Sequence, residues 1–137
     1  MVEQANKQTA WNKAFGNMMN NINYDLDCNF LATVISYDSS AHTADIKPLN
    51  NQSDGSEQAQ LLDVPVNKLL YVYDEWLAKV AGNLDVDPPD AVMKKGAIVG
   101  VNVLDHDTDD WDGTNATYTP TSKRQHDVND SVIVGVF

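Results

Sequence analysis

The sequence predicts a mainly β chain: a five-stranded barrel with a short helix between its third and fourth strands, preceded by an amphipathic helix at the N-terminus. Three observations predict it. Runs rich in β-branched residues and bounded by turn formers recur along the chain from Asn29 onward. A short acid-led helical segment separates the third run from the fourth. Ahead of them all, the first 22 residues space their apolar side chains for a helix and not for a strand.

In chain order, the segment Val2 to Ile22 places Trp11, Phe15, Met18 and Ile22 at steps of four, three and four, with Ala14 and Met19 beside them. That is one apolar stripe on a helix. Asn17, Asn20, Asn21 and Asn23 weaken its far end, which is expected to fray into Asn23-Tyr24-Asp25. Two fates are open to the stripe: packing on the chain's own β-domain, or docking on a partner or on symmetry mates. Residues 1–25 are therefore read as a helical segment for docking or oligomerisation, and residues 28–137 as the β-domain.

Asn29 to Tyr37 is the first strand, Asp38-Ser39-Ser40 a polar turn, and His42 to Leu49 the second strand. In the second, Ala44, Ile46 and Pro48 alternate with Thr43, Asp45 and Lys47, so one face is buried and one is wet. Pro48 suits a strand end or an edge. Asn50 to Glu57 is a loop by composition, and Leu61 to Val66 begins a third strand, expected to continue through Lys68-Leu69-Leu70-Tyr71-Val72-Tyr73 after a bend. Asp74 to Ala81 reads as the short helix, acidic at its start, with Gly82 just past its end. Asn83 to Asp90 is irregular. The Lys94-Lys95-Gly96 turn leads into a fourth strand, Ala97 to Leu104, and Ser131 to Phe137 forms the fifth. Three strands, a helix and two strands is the order of the OB-fold, a five-stranded Greek-key barrel.

The 137 residues suffice for one domain with a single core. A lone Cys28 excludes an internal disulfide framework and is read as a small buried hydrophobe. No secretory signal and no membrane-length apolar run is present in the sequence. A formal net charge of −11 argues against nonspecific binding to nucleic acid or to an anionic membrane, both of which demand cations.

The loop Asp105-His106-Asp107-Thr108-Asp109-Asp110-Trp111-Asp112-Gly113 invites a calcium reading. The match to an EF-hand loop fails, because Thr119 stands where the bidentate Glu is needed and no flanking helices are predicted. No metal is expected. The loop from Asp105 to Thr121 is read as an exposed excursion stabilised by Trp111, whose Asp107, Asp109 and Asp110 meet cations of a partner as rim pairs. His42, His106 and His126 lack the spacing of a zinc motif. Ser131, His126 and Asp127 could be assembled into a triad, but no nucleophile elbow surrounds any Ser, so no catalytic residue, cofactor or enzyme activity is expected.

The motifs also carry a likeness. The Lys94-Lys95-Gly96 turn, the strand after it, the Asp-rich loop with Trp111, and Arg124-Gln125-His126-Asp127 leading into Val132-Ile133-Val134-Gly135-Val136-Phe137 resemble the end of the OB-fold domain that opens bacteriophage membrane-puncturing central spike proteins. Phe30 to Leu49 matches the hairpin that begins that domain, and Leu62-Asp63-Val64-Pro65-Val66 its Val-Pro-Val strand. The resemblance covers roughly Cys28 to Phe137. It implies a structural virion protein of the tail tip or baseplate, assembled in the host bacterial cytoplasm. Such a domain is a homotrimer that sits on the tail hub, closes the tube and carries the piercing element. In the spike family a β-helical needle follows the domain, whereas here the chain stops at Phe137, so the needle is absent or supplied by a separate spike-tip chain. The expected role is therefore a spike or tube-closing plug. Its partner and oligomer contacts are assigned to Trp11, Phe15, Met18 and Ile22 on the helix and to Asp107, Asp109, Asp110 and Trp111 on the loop. The alternative is a single-stranded nucleic-acid-binding OB-fold protein, with aromatics such as Tyr37, Tyr71 and Tyr73 as stacking platforms but few cations beside them. A hydrolase ranks last.

Overall fold

The computed structural model describes the backbone of residues 2–137 and the side chains of residues 7–137. Its elements are α1 (Val2–Asp25), β1 (Asn29–Asp38), β2 (Thr43–Pro48), β3 (Leu61–Pro65), α2 (Lys68–Leu84), β4 (Ile98–Val103) and β5 (Ser131–Val136), with one 3-10 turn at Val128–Asp130. The class is mixed α/β rather than mainly β: α1 with 24 residues and α2 with 17 are each longer than any strand.

The strands form one antiparallel sheet in the order β3-β2-β1-β4-β5. The sheet curls until its ends meet. Val66 forms a parallel bridge with Ile133, and the Asn67 N–H donates to the Ile133 carbonyl at 2.9 Å. Irregular pairing between Val34 and Ser36, between Ala44 and Ile46 and between Gly100 and Val101 accompanies the curl. The concave face is lined by Ala32, Val34, Ala44, Ile46, Val64, Val99, Val101 and Ile133, and Met93 completes the core. Ala44, Ile46 and Pro48 are the buried residues of β2, as its alternation requires. In the β1–β2 turn Asp38 Oδ1 accepts from the N–H groups of Ser40 and Ala41, and Gly96 takes φ +85° where the Lys94-Lys95-Gly96 turn feeds β4.

The expected extension of the third strand is wrong, and so is the expected length of the helix. Lys68 to Tyr73 is the beginning of α2, which runs on through Gly82. Asn67 caps it by accepting from the Leu69 N–H, and Asp85 ends it in the left-handed conformation with its N–H on the Ala81 carbonyl. Residues 70, 71, 74, 77 and 81 turn inward, which is helical spacing. Asp74 therefore lies within the helix and not at its start; its carboxylate accepts from the N–H groups of Val92 and Met93 at 2.7 and 2.8 Å, holding the strand-leading loop against α2.

The predicted fraying of the first helix also fails. α1 continues through its Asn-rich end to Asp25, where Tyr24 donates its hydroxyl to the Asn51 carbonyl at 3.1 Å. Among the described residues, no helix is long and apolar enough to cross a membrane.

Candidate functional site

Two places in the chain carry the sequence-predicted interaction residues. On α1, every residue from Lys7 to Asp25 is exposed, so the β-domain covers none of the stripe. Trp11 is 63% exposed, Phe15 55%, Met18 49% and Ile22 52%, and the Trp11 and Phe15 rings touch at 5.9 Å between centroids. Of the two fates open to the stripe, packing on the chain's own β-domain is not the one adopted. An isolated helix of this length with several Asn and a central Gly16 is marginal in water.

The second place is the Asp-rich loop between β4 and β5, and here the structure corrects the sequence reading. Asp107, expected as a rim residue, is 2% exposed. Arg124 returns from beyond the loop and fills its centre: Nη2 lies 3.0 Å from Asp107 Oδ1, while Nη1 and Nη2 donate to Asp109 at 3.2 and 3.0 Å. The same guanidinium donates to Asp130 from Nε at 2.9 Å and from Nη2 at 2.7 Å. One planar fork thus serves three carboxylates. Asp107 also accepts from the Asp109 N–H, the Ser122 N–H and the Ser122 hydroxyl, and Asp130 from the N–H and hydroxyl of Thr108.

These contacts set the electrostatics. Hydrogen bonds from Arg124 hold the Asp130 carboxyl down at about 2 against the cost of its burial. The Asp109 N–H, then the Ser122 hydroxyl, hold Asp107 below the usual carboxylate range, and the carboxylates push Arg124 upward. Asp107, Asp109 and Asp130 offer oxygens within 4.8 Å of one another, spacing that could suit a metal ion, but the Arg124 guanidinium already lies among them. Buried charges are tolerable here because they are paired and saturated with donors.

Of the loop residues assigned to a partner, Asp109, Asp110 and Trp111 remain exposed. Asp109 is partly committed to Arg124, Asp110 accepts from the Thr121 hydroxyl, and Trp111 is 49% exposed with its indole N–H on the Thr114 carbonyl at 2.8 Å. The α1 stripe and the loop are separate patches; the structure gives no hydrogen bond or ion pair between their described residues.

Sequence reasoning missed a third patch. Leu69, Val72, Tyr73 and Trp76 are all exposed on the outer face of α2, Leu69 at 74% and Trp76 at 58%. Their spacing of three, one and three was the available signal, hidden by reading Lys68 to Tyr73 as strand. Tyr71, on the inner side, stacks on His42 with ring centroids 3.7 Å apart. Cys28, expected to be buried, is exposed, because it precedes β1 at the rim of the sheet and its carbonyl accepts from Val103 N–H there, outside the core.

No protein-family model matches this chain, and no curated protein matches it significantly.

Proposed function

We propose that the chain is an OB-fold plug or adaptor of a phage tail tip or related injection particle, a structural protein that attaches to a hub or tube through α1. The observation that carries this reading is the helix itself: 24 residues with an apolar stripe that the β-domain leaves wholly uncovered. Several features support the finer fold. The strand order β3-β2-β1-β4-β5, the contact between the exit of β3 and β5, and a helix between β3 and β4 are consistent with a five-stranded Greek-key barrel. The Arg124-Gln125-His126-Asp127 motif, quoted above for its likeness to spike domains, supplies the guanidinium that organises the loop before β5. A homotrimer is the assembly proposed, since closed symmetry is the usual way for a small domain to bury a repeated apolar surface.

The test is incorporation. Particles purified from cells making Trp11→Ala/Phe15→Ala chain should lack it, while the isolated variant keeps the β-domain's unfolding transition. Incorporation equal to the unaltered chain would refute attachment through α1, and tight salt-sensitive retention on single-stranded DNA by the unaltered chain would favour the nucleic-acid reading instead.

A further inference from the structure

Two apolar stripes on the same chain lie open, one on each helix. α1 carries Trp11, Phe15, Met18 and Ile22, and α2 carries Leu69, Val72, Tyr73 and Trp76 and runs on to the exposed Leu84. The stretches that hold them agree in length: Lys7 to Asp25 spans about 27 Å and Lys68 to Asp85 about 26 Å at a helical rise of about 1.5 Å per residue. Their charges run in opposite senses. From Lys7 to Tyr24 the charged residues of α1 are Lys7, one turn before Trp11 on the side of the stripe, and Lys13 on the far side; Asp25 closes the helix. α2 opens on Lys68 and is followed by the exposed acids Asp85 and Asp87, beside which its carbonyl end adds partial negative charge.

We propose that α1 of one copy packs antiparallel on the outer face of α2 of a second copy. With Lys7 set beside Asp85, Phe15 falls at Trp76, Met18 at Tyr73, Ile22 at Leu69 and Asp25 at Lys68. Each advance along α1 is matched by a retreat along α2 to within about two residues, so one register of two helices serves all five pairs. Apolar side chains meet apolar side chains along the middle, and opposite charges meet at both ends.

Other occupants fit less well. A parallel pairing of α1 with another α1 sets Lys7 beside Lys7 and leaves the stripe of α2 open. The chain's own α1 is held elsewhere. Its Tyr24 donates to the Asn51 carbonyl beyond the exit of β2, whereas the chain enters α2 from beside the entry of β2, where the Val66 N–H donates to the His42 carbonyl. The length of β2, about 17 Å, separates the two places, so Asp25 does not reach Lys68 of its own chain. The inference rests on the homotrimer of the reading above only for the number of copies. Each copy lends α1 to one neighbour and receives on its α2 the α1 of the other, a heterologous contact that closes into a ring. Both stripes are covered at once, with aromatic anchors at the centre of the contact and ion pairs at its rim that set its direction. Attachment to a hub is then made by the ring and not by separate chains.

The test is sedimentation equilibrium of the full chain at low salt, where the unaltered chain should be a trimer. Trp76→Ala, a change on the exposed face of α2, should weaken association at least about tenfold, as Trp11→Ala should, with the β-domain's thermal unfolding retained in both. Charge reversal tests the direction of the contact. Asp25→Lys and Lys68→Glu each place a favourable charge at the end of their own helix, so both chains stay folded. Each nevertheless brings like charges together across the contact and should weaken association at least about twofold at low salt. The double variant Asp25→Lys/Lys68→Glu should recover the unaltered affinity. A chain that stays monomeric, Trp76→Ala that associates as the unaltered chain does, Lys68→Glu that changes nothing, or a double variant weaker than either single would each overturn the contact. Any of these results, found with particle incorporation that still depends on Trp11 and Phe15, would remove this contact and leave attachment through α1 standing.

Discussion

Arg124 grips Asp130 with two parallel hydrogen bonds, Nε to Oδ2 at 2.9 Å and Nη2 to Oδ1 at 2.7 Å. Asp130 is 1% exposed and stands at the last position before β5, so this pair joins the end of a long polar loop to the start of a core strand. Removing the guanidinium would leave Asp130 and Asp107 buried without their cation.

Arg124→Ala should therefore lower the thermal midpoint by several degrees or more, and Arg124→Lys should recover only part of the loss, because a lysine cannot make the bidentate contact. Asp109→Asn, removing an exposed partner of the same guanidinium, should cost far less. Differential scanning calorimetry of the three variants checks the ranking.

The same pair makes stability depend on acid. The Asp130 carboxyl has its pKa lowered from 3.8 to about 2 by Arg124's hydrogen bonds, so the folded form binds this proton less readily than the unfolded form. Its contribution is present in full above the unfolded value and is lost as pH falls from about 4 through about 2. Urea midpoints measured between pH 6 and 2 should fall over that window, and the fall should be shallower in Asp130→Asn, which has no such proton to gain.

For the exposed stripe the expectation is a separation of effects. Trp11→Ala/Phe15→Ala should change the β-domain's unfolding free energy by no more than about 0.5 kcal/mol, as surface substitutions do, while shifting the particle mass in light scattering toward the monomer. A matching loss of the β-domain transition would show that the helix is part of the core after all.

Ile46 and Ile133 are fully buried and belong to strands at opposite sides of the sheet order. Truncating either to Ala should cost about 2–5 kcal/mol, the range for large-to-small changes in a packed core. Urea unfolding followed by tryptophan fluorescence supplies the number.

How much of this was legible in the sequence differs by element. The alternation of Ala44, Ile46 and Pro48 with polar residues is a local pattern with a single solution, and β2 buries those three residues. The run Leu69 to Tyr73 is not: five apolar residues fit a buried strand as well as a helix, and only the cap at Asn67 and the inward spacing of Leu77 and Ala81 decide for α2. Among the site residues, the exposure of Asp110 follows from composition, whereas that of Trp11 does not, since its stripe suits the chain's own β-domain as well as a partner. The burial of Asp107 does not, because its cation arrives from beyond the loop; Arg124 is 15 residues from Asp109, a distance over which spacing carries no signal.

The curled sheet closes through Val66 and Asn67 alone, which leaves most of the outer edge of β3 without a partner strand. An unpaired edge is a template on which another chain can add. Here the edge is spoiled by Asp63, which sits at φ +52° with its N–H turned to the Asp45 carboxylate at 3.0 Å, so that a charge and a kink interrupt the ladder at its middle. That one residue works against the addition of another strand along this edge.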